Sequence, residues 1–259
     1  MRFVFLRYQA MNIASYPAMT QDQVSRKAHL THSWQKMTVL DLWHRQVIQH
    51  HRESYRGIGL AKFPQDLWSY ERLIDLSRPE VILEIGINEG GFTRWLHDRL
   101  FLAQSFNPAP QPRTVIGIDI DIDKPRQNLV GLLNNPVEGV NLELFQCNLL
   151  NAKSLQDAKA KIVDIVGDRS LLIIEDSGHS YDTTKASLDA FSPLLKSGGW
   201  LVVEDTCVDI EALREIPSWP RGALSATNDF LASNDTFERT TFNHTYEITC
   251  HPYGFLCKK

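Results

Sequence analysis

The sequence lacks a disulfide framework, a strong net charge and any internal repeat. Its 259 residues include four cysteines with no C-x-x-C pair among them: Cys147, Cys207, Cys250 and Cys257. So sparse a set excludes a disulfide scaffold and predicts a reducing, cytoplasmic location. The formal net charge is only −4, so nucleic acid is not expected as a partner. The remaining composition, 43% hydrophobic and 22% charged, is that of an ordinary globular protein.

Long apolar runs are also missing. None approaches the roughly 18 residues that a membrane helix needs, so no membrane partner is expected. The first apolar stretch, from Phe3 to Leu6, is shorter than the core of a signal peptide, which takes about 7–15 residues. Met11 and Met19 are alternative starts, and we expect roughly the first 20 residues to be disordered.

The part of the chain before residue 78 predicts helices outside the main sheet. Apolar residues recur at helical spacing at Val39, Leu40, Trp43, Val47 and Ile48. A second helix is predicted from an N-cap at Asp66 to about Ser77. We expect residues 1–77 to form a helical extension and residues 78–259 the main domain. The apolar stripe of the first helix would cover either a second subunit or the chain's own sheet, and a homo-oligomer is predicted.

From residue 81 onward, short apolar runs alternate with helical segments. Five runs predict strands at 81–86, 114–119, 141–146, 171–176 and 200–205. Each is nearly continuous, which is typical of strands buried on both faces of a parallel sheet. Helical spacing between them predicts crossover helices at 90–101, 124–133, 152–166 and 182–195. The class is therefore α/β, a doubly wound, mostly parallel Rossmann-like sheet, and two β-leaning runs in the tail predict a closing antiparallel pair.

The motif LEIGINEGGF follows the first of these strands and opens a helix. Gly86 allows a tight turn there, while Gly90 and Gly91 let the backbone approach a ligand closely. The spacing differs from the G-x-G-x-x-G fingerprint, which argues against NAD. An acid before the glycines, Glu84, suits the cationic amino-acid part of S-adenosylmethionine (SAM). The alternative is a glycine-rich turn with no ligand.

Polar residues at the next two strand ends are candidates for the rest of a nucleotide. Asp119 ends the second strand, where an acid can accept hydrogen bonds from both ribose hydroxyls, with Asp121 and Asp123 as alternatives. Asn148 follows the third strand and would meet the adenine ring or lie in the N-cap region of a helix.

Two E-D pairs end the fourth and fifth strands. Neighbouring strand ends are only about 5 Å apart, and carboxylates held so close repel unless a cation lies between them. Asp176, Glu204 and Asp205 are thus a candidate Mg²⁺ site, whereas Glu175 is expected to point away. His179, three residues after Asp176, is a candidate base for a substrate hydroxyl. Ordinary loop acids and a solvated loop histidine are the alternatives.

These blocks together resemble the cephalosporin hydroxylase family, whose members look like class I SAM-dependent methyltransferases and include rhamnosyl O-methyltransferases. The resemblance spans about Tyr55 to Leu231 and rests on YRGIGLAKFPQDLWSYERLI, RPEVILEIGINEGG, DSGHSYDTTKASLDAFSPLLKSGGWLVVEDT and RGALSATNDFL. It implies SAM at the positions of Glu84, Gly86 and Asp119. It also implies a divalent cation on Asp176, Glu204 and Asp205.

The resemblance implies a Mg²⁺-dependent O-methyltransferase acting on a hydroxyl of a sugar or oxygenated natural product. Similar enzymes often carry D-G-D at the first metal block, with the second Asp as base. Here Gly178 takes that place and His179 is the candidate, together with Asp176 as a catalytic carboxylate. Two alternatives stay open: a different reaction on the same SAM-binding fold, and a regulatory nucleotide-binding partner.

Overall fold

The computed structural model describes residues 38–214, 216, 218–242 and 248–259. The predicted disorder of the first residues therefore lies outside the described part. The chain divides into two units, Met1–Leu42 and Trp43–Lys259, and only Thr38–Leu42 of the first is described. The predicted boundary between residues 77 and 78 stays a prediction.

Helices and strands alternate through most of the second unit. The helices are α1 (Val39–His50), α2 (Pro64–Ser77), α3 (Gly91–Phe106), α4 (Asp123–Asn128), α5 (Val130–Asn134), α6 (Ala152–Val166), α7 (Tyr181–Phe191) and α8 (Ala223–Ser233). The strands are β1 (Ser54–Tyr55), β2 (Ile58–Gly59), β3 (Val81–Ile85), β4 (Arg113–Asp119), β5 (Val140–Gln146), β6 (Leu171–Glu175), β7 (Trp200–Val203), β8 (Phe237–Arg239) and β9 (Phe255–Lys258). Short 3₁₀ turns lie at Ser192–Leu194, Thr206–Asp209 and Glu211–Leu213.

Seven of the described strands form one sheet in the order β5-β4-β3-β6-β7-β9-β8. The first five are parallel, and β9 pairs antiparallel with both β7 and β8. The predicted fold class, the five parallel strands and the closing antiparallel pair are confirmed. The chain order reverses between β3 and β6, which creates the crevice where such sheets bind ligands.

The central strands form because their side chains are apolar on both faces. All five residues of β3 and of β6 are buried. Successive side chains alternate, so Leu83 packs with α6 and α7 on one face, while Ile82 packs on the other face with α3 and with Tyr70 and Leu73 of α2. Each such side chain contributes about 1.5–3 kcal/mol by its burial. Rigid strands of this kind hold the residues at their ends in fixed positions.

Both helices predicted before the main sheet are present, but one begins at a different residue from the predicted one. Helix α2 begins at Pro64 with Phe63 as N-cap, so the prediction of Asp66 as the N-cap was wrong. Asp66 is buried instead, and it accepts hydrogen bonds from Thr249 Oγ1 (2.5 Å) and Cys250 N (3.0 Å). Helix α1 lies outside the sheet as predicted, with Trp43 buried in a small apolar cluster of the same chain.

Within the described ranges, no helix has both the length and the apolar character needed to cross a membrane.

Candidate active site

The candidate site lies at the carboxyl ends of the parallel strands. Backbone hydrogen bonds continue past the strands there: Asp176 N donates to Ile85 O (2.7 Å), and Glu204 N donates to Glu175 O (2.8 Å). The carboxylates that follow β6 and β7 are therefore placed side by side, as the sequence pattern predicted. Glu175 does not line the cavity described below, and its carboxylate accepts instead from the amide (3.3 Å) and hydroxyl of Ser177.

A cavity of about 550 Å³ opens at this edge of the sheet. It is lined by seven of the predicted site residues: Glu84, Gly86, Asp119, Asn148, Asp176, His179 and Asp205. Its volume lies in the usual range for pockets that enclose a cofactor-sized ligand, about 300–1,000 Å³. Four other predicted residues, Gly90, Gly91, Asp121 and Glu204, do not line it.

The glycines of the motif are needed for close packing of the backbone. Gly86 has φ +90°, and a Cβ there would lie 2.0 Å from the carbonyl oxygen of Asp176. Gly91 is the first residue of α3, and its Cβ would lie 2.1 Å from the Gly59 carbonyl oxygen. Gly86 thus keeps the neighbouring strand end against the loop, while Gly90 and Gly91 pack the loop against other elements rather than facing the cavity.

Asp119 holds the glycine loop in shape. Its Oδ2 accepts from the backbone N–H groups of Ile87 (2.8 Å) and Asn88 (3.0 Å). Asp121 plays a local part, because its Oδ1 accepts from Asp123 N (2.9 Å). Of the three candidate acids Asp119, Asp121 and Asp123, only Asp119 lines the cavity. Its Oδ1 also accepts from Asp121 N (3.2 Å), so three of its acceptor positions are already used within the protein.

Asn148 lies on the cavity wall in the turn before α6. Its Oδ1 accepts from Leu150 N (3.0 Å) while its N–H donates to Ser154 Oγ (2.9 Å). The residue thus shapes the turn that leads into α6, whose N-cap is Asn151.

Glu84 is a buried carboxylate on the cavity wall. Only 1% of its surface is exposed, and its Oε2 has no hydrogen-bond partner among the described residues. Burial raises the pKa of Glu84 to about 8. A buried, unpartnered carboxylate is costly unless a cation or donor reaches it, so this position suits a positively charged ligand group.

Asp176, His179 and Asp205 form the acidic cluster of the site. Each offers a ligand atom, and the three atoms lie within 4.8 Å of one another. His179 Nε2 lies 3.3 Å from Asp205 Oδ2, and its Nδ1 lies 4.0 Å from Asp176 Oδ1. His179 and Asp205 both have positive φ, 52° and 49°. Such strained backbone in non-glycine residues is concentrated at functional sites.

Glu204 lies beside this cluster in a more deeply buried position. Lys62 Nζ lies 2.5 Å from Asp176 Oδ2 and 2.8 Å from Glu204 Oε2, and the lysine is 6% exposed. Tyr70 donates its hydroxyl to Glu204 Oε1 (2.6 Å). A protein cation therefore already lies between two of the three predicted metal ligands. The trio with ligand atoms within 4.8 Å of one another contains His179 in place of Glu204.

The charges of the cluster affect one another strongly. Burial and the neighbouring Glu204 raise the pKa of Asp176 to about 8. Burial acts to raise the pKa of Asp205 as well, but the charges of His179 and His251 outweigh it and the pKa lies below its ordinary value. Burial acts to lower the pKa of His179, and Asp205 and Asp176 overcome this and raise it. The imidazole is thus a stronger proton acceptor than an isolated histidine.

Sequence reasoning missed the buried residues beneath the cluster. Lys62 and Tyr70 come from the segment GLAKFPQDLWSY, where a lone lysine among apolar residues before a helix gave only a weak signal. His251 is 1% exposed, and its Nδ1 accepts from Asp205 N (3.0 Å). These partners are far apart in the sequence, and no local pattern links them.

Sequence similarity assigns the chain to a known protein family. The family model described as rhamnosyl O-methyltransferase/CmcI matches residues 47–259. The chain belongs to this family. The match confirms the resemblance predicted from the sequence and, with it, the enzyme class, a SAM-dependent methyltransferase.

Relatives of known name and structure are distant. A rhamnosyl O-methyltransferase of Mycobacterium tuberculosis is 24% identical over 210 residues, which cover 80% of this chain and 78% of the relative. One of Mycobacterium leprae is 25% identical over 216 residues, covering 80% and 83%. A solved structure of CmcI with Mg and SAM superposes with a TM-score of 0.55 at 19% identity, covering 81% of this chain and 77% of the other. The superposition confirms the class I methyltransferase fold.

Proposed function

We propose that this rhamnosyl O-methyltransferase/CmcI family member transfers the methyl group of SAM to a hydroxyl of a small-molecule acceptor, aided by a divalent cation such as Mg²⁺. One observation carries the proposal: the unpartnered carboxylate of Glu84 and the Asp176–His179–Asp205 cluster lie on the walls of one cavity. A sugar or other oxygenated natural product is the proposed acceptor class, supported by relatives named for a rhamnosyl acceptor and by the CmcI structure with Mg and SAM.

Residues that line the cavity fit two parts of SAM, its amino-acid part and its nucleoside. Glu84 would bind the ammonium of the methionine part, which would satisfy its buried Oε2. Asp119 would accept from the ribose through its Oδ1, which accepts only one bond within the described residues, and Asn148 would lie beside the adenine. SAM supplies the reactive methyl group when it is bound.

The donor set of the cluster fits a hard divalent cation. Carboxylate oxygens are the ligands that Mg²⁺ prefers, and Asp176 and Asp205 supply them within 4.8 Å of a histidine nitrogen. Glu204 is the third predicted ligand, and its Oε2 would become available if Lys62 moved aside. A cation held here would lower the pKa of a bound hydroxyl and so make its oxygen more nucleophilic.

The chain's part in the chemistry is to place the acceptor and remove its proton. With Nε2 of His179 directed at Asp205, Nδ1 is the nitrogen that remains without a hydrogen-bond partner among the described residues. It would accept the hydroxyl proton, while Asp205 orients the ring and stabilises its positive charge. Asp176 would hold the acceptor in line with the methyl group, since correct approach supplies much of the rate enhancement.

The test combines binding with product release. SAM is titrated by calorimetry into metal-free protein, then with Mg²⁺, with NAD as the control ligand. Release of S-adenosylhomocysteine (SAH) is then measured over a panel of hydroxylated acceptors. We expect SAM but not NAD to bind, and EDTA to stop SAH release. Asp176→Asn and Glu204→Gln should abolish turnover and keep SAM binding, while the control Asp189→Asn, on an exposed residue of α7, stays active.

Either of two outcomes would overturn the proposal. Full activity of Asp176→Asn in EDTA would remove the cation from the mechanism. SAM binding with no SAH release from any acceptor would favour one of the two alternatives, a different reaction or a regulatory role.

Cytoplasmic action and a homo-oligomer remain parts of the proposal. The four cysteines are free, three of them buried, which suits a reducing compartment.

A further inference from the structure

A second, smaller cavity adjoins the first at the acidic cluster. Its volume is about 210 Å³, and it shares four lining residues with the larger cavity: His50, His51, His179 and Asp205. A ligand in the smaller cavity would therefore reach the cluster at His179 and Asp205 without contacting the glycine loop, which does not line this cavity.

The walls of the second cavity are mainly apolar. They are formed by six apolar side chains and two thiols: Trp43, Val47, Val208, Leu213, Ile216, Trp219, Cys207 and Cys250. Arg214 also lines it, but its Nε and one terminal nitrogen donate to the carbonyls of Val208 (2.8 Å) and Asp209 (3.4 Å). Trp219 Nε1 donates to the carbonyl of His179 (3.4 Å), which fixes this wall relative to the cluster.

Besides His179 Nδ1 in the cluster, the residues lining this cavity include one more buried polar atom without a hydrogen-bond partner among the described residues. Trp43 is 5% exposed, and its indole Nε1 makes no hydrogen bond with the described residues. Buried indole N–H groups usually find an acceptor, and one that lacks it inside a cavity indicates a ligand oxygen. A cavity of this size lies below the range for drug-sized ligands, about 300–1,000 Å³, and suits a single ring.

We infer that the second cavity binds the body of the methyl acceptor, and that this body is a six-membered ring with few hydroxyls beyond the reacting pair. The inference rests on the proposed function, because it assigns the reacting hydroxyls to the cluster at His179 and Asp205. One further oxygen of the acceptor accepts from Trp43 Nε1. Each additional hydroxyl buried against apolar walls without a partner lowers affinity by about tenfold or more.

Three probes with the same vicinal diol test the inference. 3-Ethylcatechol carries an apolar substituent, pyrogallol carries a third hydroxyl, and 3-methoxycatechol carries an accepting oxygen. Binding of each is measured by calorimetry on the full chain with SAH and Mg²⁺ present, and SAH release is measured with SAM. We expect 3-methoxycatechol to bind at least about fivefold more tightly than pyrogallol, because the third oxygen of each can accept from Trp43 Nε1 but only the pyrogallol hydroxyl buries a proton without an acceptor. The shared diol keeps their affinity for a cation similar.

Three variants locate the binding. Leu213→Trp fills the cavity and should abolish binding of all three probes while SAM affinity stays unchanged. Trp43→Phe keeps the ring and removes the N–H, so it should weaken 3-methoxycatechol by about fivefold or more and leave 3-ethylcatechol unaffected. The control Leu102→Trp lies on an exposed part of α3, outside both cavities, and should change nothing.

The outcomes separate this inference from the proposed function. SAM binding with unchanged probe affinity in Leu213→Trp and Trp43→Phe would overturn the cavity assignment alone. If pyrogallol binds as tightly as 3-methoxycatechol or more tightly, or if no probe binds beside SAH, the inferred acceptor class is wrong. Failure of the wild-type protein to bind SAM would overturn the proposed function and this inference together.

Discussion

Replacing Lys62 by methionine should destabilise the protein far more than the same change at an exposed lysine. Lys62 Nζ lies 2.5 Å from Asp176 and 2.8 Å from Glu204 and is 6% exposed. Removing one partner of a buried ion pair leaves a charge without compensation and costs about 3–5 kcal/mol. At about 2–4 °C per kcal/mol for a domain of this size, the melting temperature should fall by about 6–20 °C.

A matched control is available on α7. Lys185 also lies 2.5 Å from its partner, Asp189, but the two side chains are 39% and 55% exposed. An exposed helix pair of this spacing is worth only about 0.3–0.5 kcal/mol. Lys185→Met should therefore shift the melting temperature by less than about 2 °C. Burial, rather than distance, is the variable that the two substitutions compare.

The assay is calorimetric melting of EDTA-treated protein, repeated with Mg²⁺. In Lys62→Met, the carboxylates of Asp176 and Glu204 lose their protein cation, so Mg²⁺ should raise the melting temperature more than it does in the wild type. If Lys62→Met and Lys185→Met lower the melting temperature equally, Lys62 does not act as the necessary counter-charge of Asp176 and Glu204. If Lys62→Met lowers the melting temperature strongly and Mg²⁺ does not restore it, Lys62 is the counter-charge but no divalent cation binds Asp176 and Glu204.

Two further predictions concern Glu84 and Gly86, which line the cavity. Glu84→Gln should weaken SAM binding by about 10–100-fold, because a charge-assisted hydrogen bond is lost. Since burial raises the pKa of Glu84 to about 8, wild-type SAM affinity should rise with pH up to that value, and the variant's should not; parallel pH profiles in calorimetry would contradict this. The stability of the ligand-free wild type should change with pH in the opposite direction. Because burial makes ionisation of Glu84 less favourable in the folded protein, the free energy of unfolding should decrease as the pH rises from about 4.5 to about 8. Gly86→Ala should destabilise strongly, since its Cβ would lie 2.0 Å from the Asp176 carbonyl, whereas Gly131→Ala in α5 has open space and should stabilise by up to about 1 kcal/mol. Similar melting temperatures for the two alanine variants would rule out the packing role of Gly86.

The fold could be predicted because the parallel strands carry their own signal. Nearly continuous apolar runs gave β3 to β7 to within one or two residues at each end, and α6 was predicted with its observed bounds. The strand ends then brought Asp119, Asp176 and Asp205 to one edge by topology alone. Such residues follow from local pattern and one general rule about parallel sheets.

The buried contacts of Lys62, Asp66 and Tyr70 could not be predicted, because they join segments that are distant in the sequence. Lys62 and Tyr70 precede the sheet, yet they contact carboxylates that follow β6 and β7. Asp66 resembled a helix cap because its type and place fit that role, but a buried hydrogen bond from Cys250 gives it a tertiary role instead. Local sequence patterns predict which residues lie on a helix or strand, but they do not predict which buried side chains contact one another.

The contacts of Asp66 also bear on how the protein is made. Its partners Thr249 and Cys250 lie 183 and 184 residues further along the chain, and Tyr70 and Glu204 are 134 residues apart. Contacts of such long range are slow to form, because the intervening chain must first be ordered. During synthesis, the contacts of Asp66 with Thr249 and Cys250 can form only after nearly the whole second unit has left the ribosome. Catalytic competence should therefore be among the last properties that a nascent chain acquires, well after its first strands have paired.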